Sequence, residues 1–343
     1  MKLVVDGYGK SIRKRDNQIV IKEDDKELDF FLAKDLEQIL ILGKGSITFD
    51  ALELLAKNDV DCLSIDWRGD VKYRLASGEN KNIQIRKEQY YSLMDKGSGF
   101  LAKAFIKSKI ENQKATLGTL AKSKENNDFL KEQRDKLSEL VVKLDKIRIM
   151  PSSEIQSKIF GVEGQASVEY WNAVKSIIPD DFNFSIRSGR YAQDPINAML
   201  NYSYAILQSE IWKSLHLSGL DPYCGFLHSD RHGRPSLIFD LMEEFRQQLV
   251  DKTVLSLVNK NQITLDDFSI NDRSVLIKNS GKQILIQNIL NKLSNKITYG
   301  DKKIAYCDII MGQSRKIVSF LIDNNPYVPF YLRWWLCKCG LFF

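Results

Sequence analysis

The polar segment SGENKN at residues 77–82 divides the chain into two parts with different periodicity. Before this segment, short β-branched or apolar runs end at turn residues, a pattern that is typical of strands. After it, apolar residues recur about every 3.6 positions over long stretches, as they do in amphipathic helices. The sequence therefore predicts an α+β protein with a small N-terminal β domain at residues 1–76, a linker at residues 77–82 and a larger, helical domain at residues 83–343.

Within these two parts, individual elements can be located. Strands are predicted at residues 2–6, 18–22, 39–42 and 62–66, and a short helix at residues 46–57. Gly43-Lys44-Gly45 lacks the spacing and the closing Lys-Ser/Thr of a phosphate-binding loop, so we expect a turn there. Helices are predicted at residues 83–121, 126–149, 152–178, 196–215 and 312–322, with a mixed helical section at 251–301. Gly97 and Gly99 favour a break in the first of these helices.

The composition excludes several classes of protein. Hydrophobic residues make up 43% and charged residues 27% of the chain, as in an ordinary globular protein. No apolar run approaches the roughly 18 residues that a membrane span needs, and we expect no signal peptide because the first apolar run is short. Five scattered cysteines argue against a disulfide framework and favour a cytoplasmic protein. Cys337 and Cys339 form a CxC pair, but structural zinc needs four ligands.

Positive charge is concentrated in one segment. Residues 1–80 contain 13 Lys or Arg against 16 Asp or Glu, whereas residues 81–150 contain 16 against 9. The second segment therefore has a net charge of +7, while the whole chain has a net charge of +6. Such a local excess is typical of a surface that binds a polyanion such as nucleic acid. The alternative is a pair of exposed helices that are merely rich in lysine.

The stretch CGFLHSDRHGRPSLIFDLMEEFR at residues 224–246 combines one histidine with three acidic residues. His228 lies in a turn-rich loop, and Asp240, Glu243 and Glu244 follow in a helix-like run. Asp240 and Glu243 are three positions apart, so they share one helical face. An imidazole with carboxylates suits Mn²⁺, Mg²⁺ or Zn²⁺. Two alternatives remain open at this point, because a solvated helix face has the same acidic pattern and a single loop histidine is more often structural.

A further acidic candidate, Glu163, stands between two glycines in the string FGVEGQAS at residues 160–167. Glycine inside a helix costs about 1 kcal/mol relative to alanine. Gly161 and Gly164 therefore suggest that another backbone or a bulky ligand comes close to Glu163. The alternative is a glutamate at the end of a helix, near a break. The loop that follows, at residues 182–195, adds Arg187 and Arg190 as cations that could neutralise an anionic substrate.

Eight strings along the chain together resemble one known family. In order, they are VVDGYGK (4–10), LGKGSITFDALELLA (42–56), DWRG (66–69), EQYYSLMDKGSGFLAKAFIKSKIENQ (88–113), GVEGQAS (161–167), DPINAMLNYSYAIL (194–207), GFLHSDRHGRPSLIFDLMEEFR (225–246) and PYVPFYLRW (326–334). The family is that of the metal-dependent integrase/endonuclease that inserts new spacers into CRISPR arrays, the catalytic subunit of the adaptation complex. The similarity spans nearly the whole chain, and the string at 225–246 is its most specific part.

The resemblance implies a fold and a set of site residues. The fold is an N-terminal β-sandwich, through which two copies dimerise, and a C-terminal all-α catalytic domain. The implied catalytic residues and metal ligands are Glu163, His228 and Glu243. Asp240 corresponds to an acidic position beside the metal, and Glu244 matches the motif without being a ligand. Phe239 replaces the usual aliphatic residue, and the tail LCKCGLFF has no counterpart.

The resemblance also implies a reaction and partners. With Mn²⁺ or Mg²⁺ bound, a 3′-hydroxyl of incoming DNA attacks a phosphodiester in integration, and water attacks in nuclease reactions. Arg187, Arg190, Arg231 and Arg246 are predicted to bind phosphate, and Lys103, Lys107 and Lys114 of the basic segment to hold duplex DNA. A small partner protein is expected to bridge two homodimers. The alternatives are a metal-dependent nuclease on branched repair intermediates, which does not integrate DNA, and a non-catalytic DNA-binding scaffold.

Overall fold

The computed structural model describes residues 1–66, 71–75, 82–121, 128–189, 192–228, 233–271 and 274–332. The chain divides into two compact units, Met1–Lys81 and Asn82–Phe343. The first unit is rich in strands, and the second is larger and mainly helical, so the predicted fold class is confirmed. Of the predicted linker, residues 77–81 lie outside the described residues.

The first unit contains two four-stranded sheets. One sheet has the order β1 (Lys2–Val5), β5 (Gln38–Ile41), β7 (Asp61–Ile65) and β8 (Val71–Leu75), with only the last pair antiparallel. The other has the order β4 (Lys26–Leu32), β3 (Gln18–Glu23), β2 (Tyr8–Arg15) and β6 (Lys44–Ile47), with only the last pair parallel. Helix α1 (Phe49–Lys57) begins after Thr48, whose hydroxyl accepts a hydrogen bond from the Ala51 amide.

The two sheets share one hydrophobic core. Ile12, Ile19 and Ile21 of one sheet lie in the same buried cluster as Val5 and Ile39 of the other. Residues of α1 complete this cluster, namely Ala51, Leu54 and Leu55. The unit is therefore a β-sandwich with one helix, because the inward faces of both sheets are covered by each other and by α1.

Four strands of this unit were not predicted, and their composition explains why. Strands β2 and β4 present mostly exposed side chains, so they lack the apolar runs that indicate a strand. The turn expected at 43–45 is only partly right, because residues Lys44–Ile47 form β6 beside β2. A Cβ on Gly45 would lie 1.8 Å from the Lys10 carbonyl oxygen, so the close strand pairing requires glycine there.

The second unit contains nine described α-helices. They are α2 (Ile83–Ser92), α3 (Lys96–Ala121), α4 (Asp128–Asp145), α5 (Ser152–Lys175), α6 (Pro195–Leu217), α7 (Ser236–Met242), α8 (Lys252–Asn259), α9 (Asn279–Ser294) and α10 (Tyr306–Asp323). A π-helical segment, Arg246–Asp251, connects α7 to α8. Helix α3 packs against α4 and α5, and it also contacts α7 and the π-helical segment. It is therefore the central helix of this unit.

The predicted helix at 83–121 is interrupted just before its glycines. The break falls between Ser92 and Lys96, where the Ser98 hydroxyl donates to the Asp95 carbonyl oxygen at 2.8 Å. Gly99 has a different use, since a Cβ there would lie 1.8 Å from the Met150 carbonyl oxygen. The absence of a side chain allows the start of α3 to pack tightly against the segment that leads into α5.

The section predicted as mixed helical at 251–301 also contains strands. Strands β9 (Phe268–Asn271) and β10 (Ser274–Ile277) form one antiparallel pair, and β11 (Lys296–Tyr299) and β12 (Lys302–Ala305) form another. Four-residue strands are too short for periodicity to separate them from helix. Among the described helices, none combines the length and the apolar character that crossing a membrane requires.

Candidate metal centre

Glu163 lies in the middle of α5, which continues without interruption from Ser152 to Lys175. The hypothesis of a glutamate beside a helix break is therefore wrong. A Cβ built on Gly161 or Gly164 meets no atom of a described residue within 4 Å. Among the described residues, therefore, no backbone lies against these glycines, and the expected approach of a bulky ligand stays a prediction.

Glu163 and Glu243 converge on one ammonium group, that of Lys109 on α3. The Nζ atom of Lys109 lies 2.5 Å from Oε1 of Glu163 and 2.9 Å from Oε2 of Glu243. The side chain of Lys109 is 12% exposed, so these charges interact largely out of water. Burial alone would lower the pKa of Lys109, but Glu243 and Glu163 outweigh it and raise that pKa. The lysine is therefore charged, and its contacts are ionic.

Glu243 immediately follows α7 and is 4% exposed. Burial alone would raise the pKa of its carboxyl group, yet the positive charges of Arg246 and Lys109 lower this pKa to about 2. Its Oε1 atom lies 3.2 Å from Nε of Arg246. Its Oε2 atom lies 2.9 Å from Nζ of Lys109, as described above. Glu243 is thus a buried, ionised carboxylate between two cations, and the solvated-face alternative is wrong for it.

Asp240 is fully buried and organises the loop that carries His228. Its Oδ2 atom accepts hydrogen bonds from the amides of Phe226 at 2.6 Å and Leu227 at 3.0 Å. Its Oδ1 atom accepts from the amide of His228 at 3.0 Å and lies 2.7 Å from Nδ1 of the same residue. A solvated face is excluded here too. Asp240 holds the histidine from behind and leaves Nε2 as the nitrogen that can bind an ion.

The loop around His228 is attached to the same face of α5 that carries Glu163. Gln156 of α5 donates a side-chain hydrogen bond to the Leu227 carbonyl oxygen. The ring of Phe160, one turn before Glu163, lies 5.8 Å from the imidazole centroid of His228. Phe239 packs on the imidazole at 6.2 Å. The aromatic residue at position 239 therefore helps to fix the histidine.

The chemical types of the three candidate ligands, Glu163, His228 and Glu243, suit a divalent cation. Two carboxylates and one imidazole are hard or borderline ligands of the sort that bind Mn²⁺ or Mg²⁺. The ionised carboxylate of Glu243 and the imidazole of His228, which Asp240 holds through Nδ1, are the chemical types that such ions take as ligands. Within the described residues, no three His, Cys, Asp or Glu side chains already enclose a common point. The ammonium of Lys109 lies where the two carboxylates meet.

Two of the four predicted phosphate-binding arginines lie beside this centre. The guanidinium carbon of Arg246 lies 4.7 Å above the ring of Tyr204, and that of Arg187 lies 5.2 Å from it. Arg187 also donates to Oδ1 of Asn197 at 2.9 Å. The hydroxyl of Tyr204 donates to Asp251 at 2.5 Å. Arg190 and Arg231 lie outside the described residues.

Glu244 belongs to the interior and not to the centre. It is fully buried and accepts hydrogen bonds from the Tyr327 hydroxyl at 2.5 Å, the Gln313 amide at 2.8 Å and the Phe330 backbone at 2.8 Å. Burial raises the pKa of this carboxyl group to about 7. These contacts anchor the segment after α10, which agrees with the expectation that Glu244 is not a ligand.

The lysines predicted to hold DNA are engaged inside the unit. Lys103 donates to the carbonyl oxygens of Asp145 at 3.2 Å and Ile147 at 2.6 Å, and thereby caps the end of α4. Lys107 forms an ion pair with Asp145 at 2.8 Å, and Lys114 forms one with Glu111 at 3.0 Å. Lys103 and Lys107 therefore join α3 to the end of α4, whereas the pair that Lys114 forms lies within α3.

Lys109 was not among the site residues predicted from the sequence, although a signal was present. Lys109 lies four positions after the buried Phe105 and next to the buried Ser108, so it borders the buried face of α3. A lysine at the edge of a buried helical face needs an acidic partner. The acidic residues predicted for the site were the available partners.

Comparisons with known proteins identify the family of this chain. The model of the family described as "CRISPR associated protein Cas1" matches residues 3–291. A "CRISPR-associated protein Cas1 3" from Methanobrevibacter ruminantium is 44% identical over 337 residues, covering 97% of this chain and 100% of the relative. A "CRISPR-associated endonuclease Cas1 1" from Archaeoglobus fulgidus is 38% identical over 345 residues, with coverage of 97% and 100%.

Solved structures agree with this result. A casposase bound to its integration product superposes with a TM-score of 0.82 at 26% sequence identity, covering 96% of this chain and 92% of the casposase chain. The family match, the two relatives and the fold all point the same way. This chain belongs to the family of the CRISPR-associated protein Cas1.

Proposed function

We propose that this protein is a divalent-metal-dependent DNA integrase and endonuclease that inserts short DNA fragments into a CRISPR array. The observation that carries the proposal is that Glu163 and Glu243 both contact the ammonium of Lys109, while Asp240 holds His228 in a loop that is bonded to the helix of Glu163. Family membership supports the same activity, since one relative is named an endonuclease and the casposase was solved with its integration product.

In this proposal Glu163, His228 and Glu243 hold one Mn²⁺ or Mg²⁺ ion. When bound, the ion supplies Lewis-acid activation of the phosphodiester and of the attacking hydroxyl group. Glu243 is suited to the role because its low pKa keeps it ionised at neutral pH. Asp240 fixes the tautomer and the direction of the His228 ring, and the loop amides keep Asp240 in place.

The chemistry exchanges one phosphodiester bond for another. The 3′-oxygen of the incoming strand forms a bond to the target phosphorus, and the bond from this phosphorus to the target's own 3′-oxygen breaks. The attacking hydroxyl loses its proton to solvent, and the departing oxygen gains one, so no ATP is consumed. Arg246 contacts Glu243 and, like Arg187, lies over the ring of Tyr204; both arginines would stabilise negative charge that develops on the phosphate.

We also propose a separate role for each part of the chain. Residues 1–76 would form the homodimer contact, residues 77–82 the linker, and residues 83–343 the catalytic and DNA-binding domain. Strand β4 supports the first role, because Leu28, Phe30 and Leu32 expose alternate apolar side chains along it. A small adaptation protein would bridge two such dimers on double-stranded DNA.

A strand-transfer assay tests the proposed activity. The full chain is mixed with a DNA fragment that has free 3′-hydroxyl ends and with a target containing a CRISPR repeat, with and without the small partner protein. In Mn²⁺ or Mg²⁺ we expect joined product, and none in EDTA. Glu163→Gln, His228→Asn and Glu243→Gln should each reduce joining by at least about a hundredfold. Glu154→Gln, an exposed site at the start of α5, is the matched control.

The outcomes of this assay separate the alternatives. Joining that persists in EDTA or in all three folded variants would place the chemistry elsewhere. Metal-dependent cutting of branched DNA without joined product would indicate a repair-type nuclease. DNA binding with neither cutting nor joining would indicate a scaffold.

A further inference from the structure

We infer that Lys109 is a built-in counter-ion that competes with the divalent cation for Glu163 and Glu243 and so sets the metal affinity of the centre. The inference rests on the proposed function, because it assumes that these two glutamates are metal ligands. It adds a positioning residue on α3 that controls how readily the ion binds.

The competition follows from the atoms involved. Lys109 contacts Oε1 of Glu163 at 2.5 Å and Oε2 of Glu243 at 2.9 Å. An ion bound between the two glutamates would use the same oxygen atoms. An ammonium and a divalent cation cannot both contact one carboxylate pair at such distances without strong mutual repulsion. Metal binding therefore requires the ammonium to withdraw.

The geometry of the contact distinguishes Lys109 from an ordinary structural ion pair. A buried ion pair stabilises a fold when its charges are also well hydrogen-bonded. Here one ammonium is shared by two carboxylates on different elements, Glu163 on α5 and Glu243 after α7. One positive charge thus contacts two negative ones. A long, flexible side chain that still has 12% of its surface exposed can leave such a position.

The surrounding charges show why a counter-ion is needed. Arg246 contacts the other oxygen of Glu243 at 3.2 Å, but no contact between Arg246 and Glu163 accompanies it among the described ion pairs. Without Lys109, two carboxylates would share one partly buried site with a single guanidinium. Like charges in such a site repel, so the metal-free centre would be destabilised. A divalent cation would remove this repulsion more completely than one ammonium does.

A direct measurement of metal binding tests the inference. Full-length wild type, Lys109→Met, Lys109→Arg and the control Lys107→Met are titrated with Mn²⁺ and followed by calorimetry and by the electron paramagnetic resonance of unbound Mn²⁺. Each protein is also melted in EDTA and in Mn²⁺. Lys107 is a suitable control because it lies on the same helix and pairs with Asp145 instead.

We expect Lys109→Met to bind Mn²⁺ at least about tenfold more tightly than wild type, since it removes the competing charge. In EDTA its melting temperature should be lower than that of wild type. Mn²⁺ should raise the melting temperature of Lys109→Met by more than it raises that of wild type. Lys109→Arg, which keeps the charge, and Lys107→Met should stay within about threefold of the wild-type affinity.

Equal or weaker Mn²⁺ binding by Lys109→Met would overturn the inference. A Lys109→Met protein that stays unfolded in millimolar Mn²⁺ would also overturn it, because the metal would then be unable to replace the ammonium. Tight Mn²⁺ binding by wild type, unchanged in Lys109→Met, would leave the proposed function standing. Joining of DNA that needs no metal would instead remove the proposed function.

Discussion

Nδ1 of His228 lies 2.7 Å from Oδ1 of Asp240. The same carboxylate accepts hydrogen bonds from the backbone amides of Phe226, Leu227 and His228. One buried side chain therefore fixes both the loop and the ring that it presents. Asp240 contacts the ring nitrogen that faces away from the proposed ion, so we expect its contribution to the proposed metal binding to be indirect.

We expect Asp240→Asn to weaken Mn²⁺ binding by roughly 10- to 100-fold, as loss of an outer hydrogen-bond partner does at other metal sites. Stability should also fall by about 2 kcal/mol or more, because an amide nitrogen would face amide donors. Calorimetric titration and urea unfolding measure the two effects. A variant with normal stability and no detectable metal binding would show that Asp240 is itself a ligand.

The two glycines beside Glu163 allow a separate prediction. Because a Cβ on Gly161 or Gly164 meets no described atom, Gly161→Ala and Gly164→Ala should each stabilise α5 by up to about 1 kcal/mol. If substrate DNA approaches this surface, the same variants should lose strand-transfer activity while binding Mn²⁺ as wild type does. Thermal unfolding, Mn²⁺ titration and the joining assay provide the three readouts. Full strand-transfer activity in a protein that carries both substitutions would show that substrate DNA does not approach Gly161 or Gly164.

Residue types alone supplied the candidate ligands, and only the resemblance to a family selected three of them; neither arranged them in space. Glu163, His228 and Glu243 stood out for their chemistry and for the resemblance of their surroundings to a family. Glu163 and Glu243 meet at Lys109 because α3 packs against both α5 and α7, and local periodicity does not encode such long-range contacts. For the same reason Lys109 was missed, since only tertiary packing shows which acidic groups its ammonium meets.

The fold was predictable where apolar patterns were strong. The buried strand β7 and the long helices α3 and α5 coincide with predicted elements, apart from the break before Lys96. Strand β4 was not predicted because its side chains are mostly exposed and form no apolar pattern. Hydrogen bonds to β3, and not its own sequence, hold it in the extended conformation. The π-helical segment at Arg246–Asp251 has no sequence signal, because it differs from an α-helix only in its hydrogen bonds.

The role of the basic segment in binding DNA can be tested by comparing Lys103→Glu with a variant in which both Lys146 and Arg148 are reversed in charge. Lys103 caps α4 through two backbone carbonyl oxygens, so Lys103→Glu should cost about 1–3 kcal/mol of stability. Lys146 and Arg148 are exposed, and reversing both should leave stability nearly unchanged. If they contact DNA phosphates, the slope of log affinity against log salt concentration should become shallower by about 2. Fluorescence anisotropy at several salt concentrations measures this slope, and an unchanged slope would assign the DNA surface to other residues.

Asp251 makes the stability of the protein depend on pH in a defined window. It is fully buried, and burial raises its pKa to about 6 although Tyr204 and Tyr170 donate hydrogen bonds to it. Below the ordinary pKa of 3.8, the carboxyl group is protonated in both the folded and the unfolded chain. Between that value and about 6, the unfolded chain loses this proton while the folded chain keeps it, so folding stability declines as pH rises.

Asp251→Asn removes this titration and preserves an acceptor for one tyrosine. The stability of wild type relative to Asp251→Asn should therefore fall by roughly 2–3 kcal/mol between pH 4 and pH 6, and then remain constant to pH 8. Urea unfolding of both proteins across this range measures the difference, and groups that titrate equally in both proteins cancel. A difference that stays flat from pH 4 to pH 8 would mean that the hydrogen bonds from the two tyrosines offset the cost of burying the charge.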